Sequence, residues 1–445
     1  VRPPVSLPAC AALAVAVLAA PPARAGAFDV EGVGPAGVAE VNARAARADD
    51  GSAAFYDPGG LAFGRGVRVE LAPTVGVSAL SAQGKVLPLS DPFGVTLAFD
   101  ATIPFEGLLK DRIRVGFAGW LPPSGALRFI AHTADTPFFP YYDNRTQRLA
   151  VIPALAVRLR DDLGIGVALD VLGGVSGPAS VQTGASGAPE PALTLGATTS
   201  VSVHAGVRYD PSRRAHLAIA FRQRFSIPAA IDSTATIAGT PLTVDVATTS
   251  ALFDPMTVVA AASFDAGRAS FEIDAIYAAW SAYQGPYVGV TAMLPGVNAV
   301  SVLPAKPARD VVSVRGAGTY RLDVGAQSEL VLRAGAGFEP SMLSTFQQGT
   351  TNLLDGAKIL GGLGASLALR GLLPATLRFG AGASVQGVLP YAQDKRVCAA
   401  APCPADTVAG PSATDPSHGI TNPGYPRLAG GGAFVSMSLG VGVDL

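Results

Sequence analysis

Residues 435–445 carry an apolar side chain at every odd position and Ser, Gly or Asp at every even one. A period of two makes a strand with one apolar face and one small, polar face, which suits a wall between hydrocarbon and a wet interior. Residues 163–171, 201–209, 330–338 and 377–385 repeat the pattern once Gly and Ala are admitted to the inner face. In that register Arg208, Arg333 and Arg378 turn away from the apolar side. An arginine facing mid-bilayer lipid costs about 2–4 kcal/mol, whereas one in a water-filled lumen costs little, so this placement favours a membrane wall.

Segments able to form such strands recur near 67–79, 94–104, 111–120, 148–160, 163–173, 200–210, 215–226, 256–265, 268–280, 309–321, 328–339, 359–370, 374–387 and 433–445. Their number, about fourteen, is even, as a bacterial barrel with both termini on the periplasmic side requires. Backbone groups in lipid must be paired, so the sheet has to close on itself. Connections come in two sizes. Those at 160–162, 209–214, 265–268, 323–328 and 370–374 read as tight turns of the periplasmic rim, while 121–147, 174–199, 227–254, 281–308, 340–358 and 388–432 are long and belong outside. The segment 228–250 has room for a further hairpin turning at Gly239 and Pro241, as relief above the barrel rather than extra wall.

Composition narrows the class. A formal net charge of -1 offers no basic surface for nucleic acid, and an apolar fraction of 49 % argues against disorder. Arg2, the apolar run 9–20 and the small residues Ala23 and Ala25 read as a secretory signal peptide, residues 1–25, cleaved after Ala25. Cys10 precedes most of that run, which is the wrong place for a lipidated cysteine. Beyond it no stretch approaches the roughly 20 apolar residues that a membrane-spanning helix needs. The competing class is a secreted sandwich or propeller, which needs shorter and more evenly spaced strands.

Before the first strand, residues 42–62 hold an alanine-rich stretch, Asp49-Asp50, and then Asp57-Pro58-Gly59-Gly60. The sequence here resembles the FadL/TodX family of outer-membrane transporters for hydrophobic compounds, whose mature N-terminal region commonly carries Asn-Pro-Ala-Gly. Asp57 stands for the usual Asn and Gly59 for the usual Ala, while Pro58 and Gly60 match. Trp280-Ser281, the stretches 314–320 and 332–341, and 352–355 resemble further family elements over most of the mature chain. The resemblance implies an all-β fold, a monomeric antiparallel transmembrane barrel of about fourteen strands in the outer membrane of a Gram-negative bacterium. Residues 26–64 would form a small hatch in its lumen and 65–445 the barrel with its loops. It implies passive uptake of hydrophobic solutes, with long-chain fatty acids as the default ligand. Aromatic hydrocarbons, a general diffusion pore and, further off, a structural or adhesive barrel or a barrel lipase are the alternatives. Outer-membrane lipid and lipopolysaccharide, and the barrel-assembly machinery, are the partners it implies.

The residues of 26–64 suit that role. Phe28, Phe55 and Tyr56 supply apolar surface in a segment too short for its own core, and a short helix is expected across Pro35 to Ala48. Asp49 and Asp50 suit a helix cap or luminal arginines, and Asp57, Pro58, Gly59 and Gly60 make a sharp turn, either an ordinary one or one that positions a moving hatch. In the long loop after the third strand, Arg128, Phe129, Ile130, Phe138, Phe139, Tyr141 and Tyr142 are candidate ligand contacts; loop packing or an aromatic girdle is the plainer reading. A carboxylate ligand would need a cation at the end of an apolar slot, with Arg128, Arg145 and Arg148 as candidates. Cys398 and Cys403 suit a loop disulfide in an oxidising envelope. His204 and His216 are spaced to approach one another across a hairpin, yet no nucleophile or third member can be placed beside them, so no catalytic site, metal or cofactor is expected.

Overall fold

The computed structural model describes residues 27–87, 92–123, 137–143, 145, 148–176, 179–183, 189–193, 196–237, 240–283, 285, 288–294, 297–300, 308–344, 346–348, 352–371, 374–396 and 427–445. The expected signal peptide, Arg128, Phe129, Ile130, Cys398 and Cys403 fall outside them. Fourteen strands form a closed antiparallel ring. The first seven are β1 (Val67–Ala82), β2 (Phe93–Thr102), β3 (Ile113–Leu121), β4 (Ala150–Arg160), β5 (Leu163–Ser176), β6 (Gly196–Ser212) and β7 (Ala215–Arg222). The rest are β8 (Thr257–Ala266), β9 (Ala269–Ala278), β10 (Val311–Gly325), β11 (Ser328–Glu339), β12 (Lys358–Leu369), β13 (Thr376–Arg396) and β14 (Arg427–Asp444). Each pairs with its sequence neighbour, and β14 closes on β1 in a register running from Arg68 opposite Asp444 to Ala82 opposite Gly430. Closure leaves no edge to be satisfied in lipid.

Alternation sets the faces as expected. On β14, Met437, Leu439 and Val441 are exposed on the outside, while Ser436 and Ser438 are buried within. Arg208, Arg333 and Arg378 all point inward, where they meet Asp210, Glu40 and Asp444. Strands β13 and β14 run well beyond the expected 387 and 433, because they go on pairing from Tyr391 opposite Gly430 to Asp394 opposite Arg427. The hairpin expected within 228–250 forms from Phe225–Ile237 and Thr240–Asp254; with Val288–Leu294 and Val297–Val300 it makes a separate four-stranded sheet.

The N-terminal segment runs inside the ring. It comprises α1 (Ala27–Glu31), α2 (Gly34–Ala39), α3 (Ala53–Tyr56) and a 3₁₀ turn, Pro58–Phe63. No residue from 27 to 64 is exposed. Helix α2 touches β1, β2, β11, β12, β13 and β14, while the 3₁₀ turn touches β3 to β7, so the segment meets opposite sides of the wall. Wall glycines make the room. A Cβ on Gly164 would lie 2.6 Å from the Gly59 carbonyl oxygen, one on Gly362 2.5 Å from that of Ala39, and one on Gly440 2.8 Å from the Pro35 ring.

The helix expected across Pro35 to Ala48 is only six residues long. Val41 and Asn42 adopt left-handed φ of 46° and 66°, which ends it. Asn42 accepts that backbone more readily than most residues. Its Nδ2 also donates to the carbonyls of Phe28 (3.0 Å) and Asp29 (3.1 Å), folding the chain back onto α1.

Candidate ligand-binding site

On the side of the long loops the segment leaves a cavity of about 40 Å³. That is space for about three waters, so a larger ligand enters only as side chains move. Alternate residues near the outer ends of three adjacent strands supply one wall: Thr257 and Val259 on β8, Asp274, Ile276 and Ala278 on β9, Val311, Ser313 and Arg315 on β10. Phe55 and Tyr56 of α3 form the floor. Tyr141 and Trp280 close it from the loops, their ring centroids 6.2 Å apart.

Cations line this cavity, and each has a carboxylate. Asp29 on α1 receives Arg222 at 2.8 Å and Arg145 at 2.9 Å. Burial alone would raise the Asp29 carboxyl, but these two guanidinium groups hold it below the usual range. Arg145 also reaches Asp254 at 2.7 Å and lies over the rings of Tyr141 and Trp280, 5.0 and 5.5 Å from their centroids. Arg315 meets Glu339 at 3.2 Å. Glu339 in turn takes Lys358 at 3.3 Å, whose ammonium lies 4.3 Å from the Tyr141 centroid and 2.8 Å from Asp355. Burial first, and then the neighbouring Glu339, push the Tyr141 hydroxyl up to about 12, so it remains a neutral donor.

The loop aromatics do converge, but unequally. Of Phe138, Phe139, Tyr141 and Tyr142, all buried, Tyr141 alone lines the cavity. Tyr142 stacks on Phe434 with centroids 5.2 Å apart, and Phe138 and Phe139 pack behind it with Phe253, Tyr283, Leu353 and Leu354. Arg145 and Arg148 were the cations expected to receive a ligand carboxylate; instead both engage Asp254, Arg148 through Nη2, and Arg145 adds Asp29. His204 and His216 do not meet: His204 lies opposite Arg222, whereas His216 sits at the other end of the β6–β7 hairpin with Asp210 and Asp265. Among the described residues no group of three His, Cys, Asp or Glu is placed to hold a metal.

The turn residues sit deep in the wall. Asp57 caps the 3₁₀ turn, its Oδ1 accepting from Gly59 N at 3.0 Å, with Pro58 in the first turn. Its other oxygen has no hydrogen-bond partner. Burial pushes the carboxyl up to about 7, against the opposing pull of the Gly59 amide and Arg208. Pro58, Gly59 and Gly60 are buried, the first two against Gly166 and Gly206. Asp49 pairs with Arg68 of β1 at 3.0 Å, and Asp50 with Arg44 at 3.5 Å. Phe28 packs between Phe55 and Trp120. Sequence reasoning passed over Asp29, Arg222, Arg315 and Glu339; inward parity on their strands was the available signal for the last three.

No family model matches the sequence, and no curated protein does. The structure superposes on a Pseudomonas aeruginosa FadL homologue, 14 % identical, over 93 % of this chain and 98 % of that one with a TM-score of 0.53. For the monoaromatic hydrocarbon channel CymD the figures are 12 %, 95 %, 99 % and 0.53. For the P. putida toluene transporter TodX they are 11 %, 95 %, 98 % and 0.52. At such identities the likeness is one of fold, and this closed fourteen-stranded barrel has the architecture of outer-membrane transporters.

Proposed function

We propose that this chain is a monomeric outer-membrane channel of FadL/TodX type for small hydrophobic solutes, and that neutral aromatic hydrocarbons are better ligands than fatty acids. The observation that carries the reading is the pairing of every cation lining the cavity with a carboxylate: Arg145 and Arg222 with Asp29, Arg315 with Glu339. A fatty acid carboxylate entering there would face those acids and have to break a buried pair, at a cost of several kcal/mol. A neutral ring meets Phe55, Tyr56, Tyr141 and Trp280 without that cost. Two structural neighbours, a monoaromatic hydrocarbon channel and a toluene transporter, agree with this choice.

In this reading residues 26–64 act as a hatch and 65–445 as the barrel. Solute collects against Tyr141 and Trp280, and transfer waits on movement of the hatch. The test is radiolabelled uptake of toluene and of oleate by cells carrying the protein, together with single-channel conductance of the purified barrel with and without 26–64. Toluene uptake exceeding oleate uptake, with low conductance that rises on deletion, is expected. Preferential oleate uptake refutes the ligand class, and steady conductance in both forms makes the protein a diffusion pore.

A further inference from the structure

At the rim that carries the chain ends of the barrel, four fully described turns have only polar or small residues at their tips: Asp161 and Asp162, Arg213 and Arg214, Gly267 and Arg268, Ala326 and Gln327. The β2–β3 connection at the same rim is different. It reads Ile103-Pro-Phe-Glu-Gly-Leu-Leu109, and it exposes Phe105 at 38 %, Leu109 at 45 % and Leu108 at 93 % of their surfaces. A small cluster of large apolar side chains held at a rim turn calls for a partner.

Its position says which. Ile103 N donates to Ile113 O at 2.9 Å, so the β2–β3 ladder and its alternation extend past the strand ends. Residues 99 and 101 face the lipid side of β2 and 103 continues that parity, before a bond from Phe105 N to Ile103 O (2.9 Å) turns the chain at Pro104. Beside them the outer face of β4 ends in exposed Leu155 and Leu159. The base of the turn is pinned to β4 by Arg112 donating to Leu159 O at 3.0 Å and Arg158 donating to Asp111 O at 3.1 Å. The apolar tip thus sits at the end of the outward-facing apolar belt, and exposed Lys110 next to it suits phosphate headgroups.

We infer that the β2–β3 turn, through Phe105, Leu108 and Leu109, is a membrane anchor that inserts into the acyl region of the periplasmic-facing leaflet. It is a lipid contact made by a turn rather than by a strand, and it fixes the depth of this side of the barrel. The test places a fluorophore there in the full mature chain: L108W, with F105W as a second position and R213W in a polar turn of the same rim as the reference, each corrected for Trp120 and Trp280 by subtracting the parent. In vesicles of phosphatidylcholine with brominated acyl chains, the L108W and F105W signals should be blue-shifted and quenched at least threefold more than that of R213W, and shielded from aqueous iodide. Water-like emission with full iodide quenching overturns the inference. So does shielding from iodide without quenching by brominated lipid, which would instead place the tip against protein.

Discussion

Asp57→Asn separates the two states of the turn on which the N-terminal segment is seated. In the seated form the carboxyl is fully buried, burial has pushed it up to about 7, and one oxygen has no hydrogen-bond partner. When the segment leaves the wall the group returns to water and to the ordinary carboxylate range. Because the seated value is the higher one, protonation favours seating. That stabilisation is complete below about pH 4, falls as pH rises toward 7, and is lost above it. A displacement of this size is worth about 4 kcal/mol between the two ends, or on the order of a thousandfold in the opening equilibrium; water reaching the turn would reduce it. Asparagine keeps the acceptor for Gly59 N and cannot ionise. Amide hydrogen exchange of residues 57–63, corrected for intrinsic rates from pH 5 to 8.5, reads the equilibrium directly. In the parent, protection should fall toward pH 7 and then level; in D57N it should be flat and at least tenfold higher at pH 8. A parent profile without slope, or a D57N profile with the same slope, refutes the reasoning.

Three further outcomes follow from the geometry. Asp29→Asn removes the carboxylate shared by Arg145 and Arg222, a change of about 3–5 kcal/mol in a buried pair, and should strengthen binding of a carboxylate such as benzoate while weakening seating of α1; unchanged benzoate affinity by fluorescence competition would argue against the pairing as the selectivity device. Gly206→Leu drives a side chain into Asp57 and Pro58, an overpacking of about 1–3 kcal/mol or more, so the barrel should retain its folded mobility on unheated gels yet show higher basal conductance. Trp280→Ala deletes a buried ring that lines the cavity, and should lower toluene uptake per folded barrel at least fivefold with little loss of barrel melting temperature, as followed by circular dichroism.

How much of this was legible in the sequence depends on the range over which the cause acts. The wall was readable because its cause is local: each strand must alternate between lipid and lumen, and that period is written within ten residues, as in 435–445. Strand ends were less so, since β13 and β14 stop where pairing between them stops, well past the apolar stretch. The site was scarcely readable. Asp29 meets Arg145 across 116 residues and Arg222 across 193, and only the closed register of the ring brings these three together. A charged residue on an inward parity announces a lumen without naming its partner.

The glycines show where more could have been drawn. Alternating Gly on the inner face of β5, β6, β12, β13 and β14 looks like filler, since a wet lumen tolerates any small residue. Gly164, Gly166 and Gly206 instead meet the backbone of Asp57 to Gly59 or the Asp57 carboxylate, Gly362 and Gly364 meet Ala39, and Gly380, Gly382 and Gly440 meet Pro35. Water needs no such space, because it adapts to an alanine as readily as to a glycine; a fixed backbone does not. Glycine at consecutive inward positions on neighbouring strands thus marks the track on which another piece of chain lies. Two such tracks, on opposite sides of the wall, match the two proline-bearing turns of the N-terminal segment, at Pro35 and Pro58.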